Sequence, residues 1–260
     1  MTEPLVLVEA HGAVAILRLN DAESLNAMSL EMADALVAGL GEAVTRHRAI
    51  VITGAGRGFC SGAKLSAGRL SATGNYDPGD ALAAHYNPLM LALKNLPIPL
   101  ITAVNGAAAG IGASVALAGD IVIASEKAYF LQAFRNIGLI PDGASAFLLT
   151  RSAGRVRAME MMLLGERVLA PTALDWGMIN RVVAPEALDD AALELATRLA
   201  EGPTKVLAMI RKLCWDALET GFEAQLASEC AIQNSASRTD DHREGIAAFL
   251  QKRPAAFTGE

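Results

Sequence analysis

The feature that most constrains the fold is the stretch of residues 97–119, which contains no Asp, Glu, Lys or Arg. An uncharged run of this length raises the possibility of a membrane-spanning helix. Several residues within it suit turns better than a long helix: Pro99, Asn105, Gly106, Gly110 and Gly112. Their spacing instead predicts a buried strand over residues 100–104, a tight glycine turn and a short buried helix over residues 112–117.

A helix that begins in a glycine turn within a protein core has a particular chemical consequence. Its first backbone N–H groups have no partner within the helix, and they lie at the positive end of the helix dipole. Such a turn favours a negative guest, which is a phosphate in nucleotide-binding proteins or an oxyanion in acyl-transferring and enolising enzymes.

Composition narrows the class of protein. The chain has 260 residues, of which 52% are apolar and 19% charged, so it is long enough to bury a substantial core. The net charge of −6 gives no general attraction for nucleic acid or an anionic membrane. The cysteines, Cys60, Cys214 and Cys230, are scattered and odd in number, which favours reduced thiols. The first residues lack the pattern of a secretory signal, and we expect a cytoplasmic protein.

Periodicity and turn residues predict an α/β architecture followed by a helical region. Strands are predicted over residues 5–9, 14–19, 49–53, 100–104 and 180–183. Helices are predicted over residues 30–47, 80–95, 112–117, 144–150, 155–163 and 170–176. Beyond residue 185 only helices are predicted, over residues 187–201, 204–220, 222–238 and 242–251. Ser29 is expected to cap the first helix, and Pro88 to interrupt the helix over residues 80–95.

Several familiar kinds of site fit the sequence poorly. The glycines of residues 54–58 have GxGxG spacing, and the turn of residues 106–112 lacks a GKS or GKT ending, which argues against dinucleotide and P-loop sites. No histidine has a His or Cys partner at metal-ligand spacing, so no metal site is expected. Cys60 has no local base, which favours a packed thiol over a nucleophile.

Asp142 lies in the segment Ile140-Pro141-Asp142-Gly143, before a predicted helix. One interpretation is a helix N-cap. The other is a catalytic base, which requires donors that stabilise the anion it creates. The two glycine turns, near Gly62 and Gly110, are the candidates to supply those donors.

The chain resembles the enoyl-CoA hydratase/isomerase superfamily, the crotonase fold, from residue 5 to residue 257. The resemblance is carried in order by FCSGAKL, ITAVNGAAAGIGASVALAGDIVIASEKAYF, IGLIPDGAS, WGMINRVV and HREGIAAFLQKRPAAF. It implies a ClpP-like spiral of ββα units over residues 1–185 and a helical trimerisation region over residues 186–260. It also implies a coenzyme A thioester substrate, with no cofactor beyond that coenzyme A moiety, and a homotrimer or a dimer of trimers.

The resemblance further implies that two backbone N–H groups, those of Ala63 and Ile111, hold the thioester oxygen. The bulk of Ile111 is expected to narrow the pocket. Hydratases of the superfamily carry two glutamates, and the matching positions here are Ser114 and Phe134, neither of which can accept a proton from water. Dehalogenases of the superfamily have an aspartate that matches Asp142, but their histidine and tryptophan match Asn87 and Phe134.

One branch of the superfamily has all of its expected functional residues at matching positions in this chain. It contains the ring-1,2-epoxyphenylacetyl-CoA isomerases and Δ3,Δ2-enoyl-CoA isomerases. It matches in residues 86–89, 132–134, 137–142 and 257–259. The resemblance to it implies an isomerase in which Asp142 is both acid and base. The segment Ala144-Ser145-Ala146 departs from the branch, which predicts a differently shaped acyl pocket. A hydratase, thioester hydrolase or dehalogenase, or a non-catalytic acyl-CoA-binding subunit, remain as alternatives.

The remaining site residues also follow from the resemblance. Those expected to contact coenzyme A are Leu25, Ser61, Lys64, Leu65, Phe249 and Lys252. Those expected to line the acyl pocket are Tyr86, Gly110, Phe134 and Leu139. Two roles stay open for Lys64, a phosphate contact or a solvated loop lysine.

Overall fold

A computed structural model describes residues 3–64 and 78–260. Its larger sheet has the strand order β1-β2-β3-β5-β7-β10. These strands are β1 Val6–His11, β2 Val14–Leu19, β3 Ala49–Gly54, β5 Leu100–Val104, β7 Ile121–Ser125 and β10 Arg181–Val183. The first two strands, both predicted, pair antiparallel as a hairpin, and each further pairing in this sheet is parallel.

A smaller sheet has the order β4-β6-β8-β9. Its strands are β4 Gly58–Cys60, β6 Ala107–Ala109, β8 Tyr129–Leu131 and β9 Arg167–Leu169. The chain passes from the larger sheet to the smaller one three times in succession, from β3 to β4, from β5 to β6 and from β7 to β8. This alternation is the ββα spiral that the resemblance implied, and it confirms the predicted fold class.

The helices agree with the predicted positions to within a few residues. They are α1 Leu30–Arg46, α2 Pro78–Ala81, α3 Asn87–Lys94, α4 Ile111–Leu117, α5 Ser145–Ser152, α6 Arg155–Leu164, α7 Ala170–Asp175, α8 Leu188–Ala200, α9 Thr204–Ala217, α10 Phe222–Ala236 and α11 Asp240–Gln251. The hydroxyl of Ser29 accepts a hydrogen bond from the N–H of Met32, so Ser29 caps α1 as predicted.

Helices pack their apolar sides against both faces of the larger sheet. On one face, Ile50 and Ile52 belong to the same buried cluster as Leu36 of α1. On the other, Val51 belongs to a cluster with Leu195 of α8. Because successive strand residues point to opposite faces, this two-sided cover explains why every residue of β3 and β5 is buried and why both strands are largely apolar.

The uncharged stretch is a strand, a turn, a second strand and a helix, namely β5, β6 and α4 with their connections. All five residues of β5 are buried. Within the described ranges, no helix has the length and apolar character needed to cross a bilayer. Burial in a protein core therefore accounts for the missing charges.

The predicted interruption near Pro88 is confirmed. A single π-helical turn, Leu82–Tyr86, separates α2 from α3. The N–H of Asn87 donates to the carbonyl of Leu82, five residues back. Proline has no N–H to continue the regular ladder, so the wider turn lies directly before it. This turn forms one wall of the cavity described below.

Candidate active site

A cavity of about 250 Å³ lies where the end of β4, the start of α4 and the π-helical turn meet. Its described lining is Ser61, Gly62, Ala63, Lys64, Pro78, Ala81, Leu82, Tyr86, Ala109, Gly110, Ala133, Phe134, Asn136, Ile137, Leu139 and Asp142. All four residues predicted for the acyl pocket are in this set. So are Asp142, Ala63 and two of the residues predicted to contact coenzyme A.

The two glycine turns lie side by side because neither carries a side chain. Gly62 has φ +105° and Gly110 has φ +52°, values in the left-handed region that favours glycine. A Cβ atom built on Gly110 would lie 3.8 Å from Cα of Gly62, and one on Gly62 would lie 3.1 Å from the carbonyl oxygen of Ala109. Turns far apart in sequence are therefore in backbone contact.

The backbone N–H groups of Ala63 and Ile111 are not used by regular structure. Met28 pairs with the strand-like residues around Ala63, but it does so through the carbonyl of Gly62 and the N–H of Lys64. Ile111 is the first residue of α4, and its N–H has no partner within the helix. Within residues 3–64 and 78–260, neither N–H donates a backbone hydrogen bond.

The side chain of Ile111 does not behave as expected from the sequence. It is buried, and a Cβ built on Gly143 would lie 2.3 Å from its Cδ1 atom. Ile111 is also absent from the described lining of the cavity. The expectation that its bulk narrows the pocket is therefore wrong, because the side chain packs beneath the Asp142-Gly143 turn.

The carboxyl group of Asp142 lines the cavity without a hydrogen-bond partner. Its Oδ1 atom is buried, and no described residue donates to it. Burial raises the pKa of this carboxyl to about 6 from its ordinary value of 3.8. The N-cap alternative is wrong, since the cap residue of α5 is Ala144 and no side chain caps that helix. Asp142 is thus free to act on a guest.

The raised pKa predicts a stability effect with a definite sign. Between pH 3.8 and about 6 the folded protein binds more protons than the unfolded chain, so the free energy of unfolding falls as the pH rises. Asp142→Asn removes this titration. The unfolding free energy of the variant minus that of the wild type should therefore increase as the pH is raised through this window. Urea denaturation of both proteins measures this difference. A difference that does not vary with pH would contradict the burial of the charge.

The positions that match the hydratase glutamates hold no acid. The aromatic ring of Phe134 lines the cavity next to Gly110. Ser114 is fully buried, and its hydroxyl lies 2.8 Å from that of Ser145. Within the described lining of the cavity, Asp142 is the sole carboxylate.

Neither Cys60 nor Asn87, the residue that matches the dehalogenase histidine, is placed to act as a nucleophile or base in this cavity. Burial raises the pKa of the Cys60 thiol to about 11, which confirms a packed thiol. Asn87 is exposed on α3 and does not line the cavity. His85, two residues earlier, lies with its Nδ1 atom 2.8 Å from Oδ1 of Asp34.

The residues predicted to contact coenzyme A fall into two groups. Leu25 and Ser61 are joined, because the Ser61 N–H donates to the carbonyl of Leu25 over 3.0 Å. The Nζ atom of Lys64 lies 2.9 Å from Oδ2 of Asp21, an ion pair at the rim of the cavity. Leu65 lies outside the described residues.

The second group lies far along the chain on α11. Phe249 is 83% exposed and borders a groove with residues of α9 and α10, and Lys252 is the C-cap residue that follows α11. Neither residue lines the described cavity of its own chain. The structure therefore does not bring these two together with Asp142 within one subunit.

Sequence reasoning missed two features of the site. Leu82 on the π-helical turn lines the cavity, and Pro88, just after that turn, was the sequence signal for it. None of Ala144, Ser145 and Ala146 is in the described lining of the cavity, and the expectation that this segment changes the shape of the acyl pocket stays a prediction. Ser145 instead donates to the carbonyl of Asp142 over 2.6 Å.

Comparison with known proteins decides the family. The family model for enoyl-CoA hydratase/isomerase matches residues 9–260. The chain belongs to the enoyl-CoA hydratase/isomerase family. It is 44% identical over 259 residues to the 1,2-epoxyphenylacetyl-CoA isomerase of Escherichia coli, covering 98% of each chain. It is 39% identical over 259 residues to a probable enoyl-CoA hydratase of Rhodobacter capsulatus, covering 100% of each.

A solved structure confirms the crotonase fold of this family member. The putative enoyl-CoA hydratase/isomerase of Mycobacterium abscessus matches with a TM-score of 0.90 and 35% identity, over 98% of this chain and 100% of that one. The family shares a fold across more than one reaction, so the reaction must be argued from the residues of the site.

Proposed function

We propose that this family member is an acyl-CoA isomerase that moves a double bond, or rearranges a ring epoxide, through an enolate. The observation that carries the proposal is a single carboxyl group, buried and without a hydrogen-bond partner among the described residues, in the same cavity as two adjoining glycine turns. One carboxyl suits a reaction in which a proton leaves one carbon and returns to another.

In the proposed mechanism the carboxylate of Asp142 takes a proton from C2 of a 3-enoyl thioester. The electron pair moves onto the thioester oxygen, and the N–H groups of Ala63 and Ile111 stabilise the resulting enolate. The protonated carboxyl then returns its proton at C4, which leaves the double bond between C2 and C3. No atom is gained or lost, and the carboxylate is regenerated.

The surroundings of Asp142 favour this reaction over hydration. Hydration needs a second group to activate water, and the position that could supply one is occupied by Phe134. The neighbouring wall residues Leu82 and Leu139 are apolar as well. A pKa of about 6 also suits a group that must give up and recover a proton near neutral pH.

Binding of the coenzyme A moiety is proposed to use Leu25, Ser61, Lys64 and Leu65 from one subunit. Phe249 and Lys252 are proposed to reach the site from a neighbouring subunit of a homotrimer or dimer of trimers. Their exposure on α11 leaves them available for such a contact. The proposed compartment is the cytoplasm, where acyl-CoA thioesters and reduced cysteines coexist.

The test is product analysis with 3-enoyl-CoA, 2-enoyl-CoA and ring-epoxide thioesters as separate substrates. We expect 2-enoyl-CoA from the 3-enoyl substrate, detected by mass spectrometry and by absorbance of the conjugated thioester. Accumulation of 3-hydroxyacyl-CoA would indicate a hydratase, and free coenzyme A a hydrolase. Tight binding of all three without turnover would indicate a non-catalytic subunit.

A pH dependence follows from the raised pKa. The base must be ionised in the free enzyme, so kcat/KM for isomerisation should rise tenfold per pH unit below about pH 6 and level off above it. The measurement is the initial rate at low substrate concentration across that range. A profile that is flat through pH 6 would exclude Asp142 as the base.

A further inference from the structure

Two buried serines connect the two halves of the site. Ser114 lies on α4, the helix that begins at Ile111, and Ser145 is the first residue of α5. Their exposed fractions are 0% and 1%, and their hydroxyl oxygens are 2.8 Å apart. The hydroxyl of Ser145 also lies 2.6 Å from the carbonyl oxygen of Asp142. We call Ser114 and Ser145 the serine pair.

The chemistry of these groups fixes the direction of the hydrogen bonds. A carbonyl oxygen can only accept, so the single hydroxyl proton of Ser145 is donated to Asp142. The proton between the two hydroxyls must then come from Ser114. The N–H of Ser145 donates to the same carbonyl over 3.0 Å, which holds the backbone of Asp142 at a second point.

Steric contact holds the same turn against α4. A Cβ atom on Gly143 would lie 2.3 Å from the side chain of Ile111 and 3.3 Å from the hydroxyl of Ser114. Gly143 and Ala144 have φ values of +57° and +62°, and the second of these is unusual for a residue with a side chain. Such a conformation persists only where its surroundings enforce it.

Among the described lining residues of the cavity, no side chain forms a hydrogen bond with the carboxyl of Asp142. No residue in the described ranges donates to its buried Oδ1 atom. Lys64, the other charged side chain in the described lining, is paired with Asp21. Tyr86, the remaining titratable group there, donates its hydroxyl proton to the carbonyl of Met28. The carboxyl is therefore placed through its own backbone.

We propose that Ser114 and Ser145 are positioning residues, which set the spacing between the Ile111 N–H and the Asp142 carboxyl. This rests on the proposed function of Asp142 as the acid and base. Ser114, at a position that carries a glutamate in hydratases, thus connects α4, which supplies the Ile111 N–H, to the turn that carries Asp142.

The test compares three single variants. Ser145→Ala removes the bond to the Asp142 carbonyl, and Ser114→Ala removes the bond behind it. Ser152→Ala is the matched control, because the Ser152 hydroxyl also bonds a backbone carbonyl of α5, that of Leu148 over 2.9 Å, away from Asp142. Each variant is assayed for kcat and KM on a 3-enoyl-CoA, and for Kd with a non-reactive acyl-CoA thioester. The Asp142 carboxyl is titrated by carbon-13 NMR.

We expect Ser145→Ala to lower kcat about 10- to 100-fold, the scale of loss that misplacement of a reacting group by about 1 Å produces, with Kd unchanged. Ser114→Ala should show a smaller loss in the same direction, and Ser152→Ala none. In Ser145→Ala the titration midpoint of Asp142 should fall toward its ordinary value as water reaches the carboxyl.

Wild-type kcat and an unchanged titration in both serine-pair variants would overturn the positioning role. So would an equal loss in Ser152→Ala, which would indicate a general effect on α5. If Ser145→Ala does not fold, Ser114→Ala decides by the same criteria. A wild-type protein that moves no double bond would refute the proposed isomerase, whereas the carboxyl titration would still test the positioning role.

Discussion

Asp142→Asn is expected to abolish double-bond migration while the protein still binds acyl-CoA thioesters. Asparagine has nearly the same shape but cannot accept the proton, and general acid–base groups contribute about 10²- to 10⁴-fold to rate. Because one carboxyl is proposed to act in both proton transfers, we expect a loss in kcat near the upper end, about 10⁴-fold. The measurement is kcat on a 3-enoyl-CoA together with Kd for a non-reactive thioester.

Asp189→Asn is the control for the loss of one negative charge. Asp189 lies in the first turn of α8, its side chain is 61% exposed, and it pairs with Arg18 on the surface. This variant should keep wild-type kcat. If Asp142→Asn isomerises as fast as the wild type, the assignment of Asp142 as the base is wrong.

Gly112→Ala is expected to cost both stability and rate. A Cβ atom at Gly112 would lie 2.3 Å from the carbonyl oxygen of Cys60 and 2.7 Å from its Cβ. Backbone must therefore move at the start of α4, and the N–H of Ile111 moves with it. We expect a loss of about 1–3 kcal/mol in unfolding free energy from overpacking. We also expect a fall in kcat on the order of 10²-fold from the misplaced donor.

Gly41→Ala is the matched control, since Gly41 lies on the exposed side of α1, and among the described residues no atom beyond its own helical backbone lies within 4 Å of a Cβ built there. This change should raise the unfolding free energy by about 1 kcal/mol through helix propensity, with kcat unchanged. Urea denaturation and the isomerase assay measure both effects. A Gly112→Ala protein with wild-type stability and rate would show that the contact between α4 and β4 is loose.

Much of the fold follows from local pattern. The uncharged stretch predicted β5 and α4 correctly, because elements buried in a core are built from uncharged residues. The strands of the smaller sheet were not predicted, because they are too short. Each is three residues long, as in Ala107–Ala109, and so short a segment has no measurable period. Their positions are set by pairing with distant strands.

The site was predictable only in part from the residues themselves. Glycine at positions 62 and 110 indicated two turns, and the resemblance indicated that they meet. The ion pair of Lys64 with Asp21 joins residues 43 apart in sequence, and no local pattern indicates it. The bond from Ser145 to Asp142 spans only three residues, but its importance depends on Ser114, which belongs to another helix.

The most direct test of the proposed chemistry is a crystal structure with a non-reactive acyl-CoA bound. We predict the thioester oxygen about 2.7–3.1 Å from the backbone nitrogens of both Ala63 and Ile111, the range required of such donors. The carboxyl of Asp142 should face the carbons next to the thioester. A thioester oxygen bonded to neither nitrogen, or an Asp142 carboxyl turned away from those carbons, would contradict the proposed mechanism.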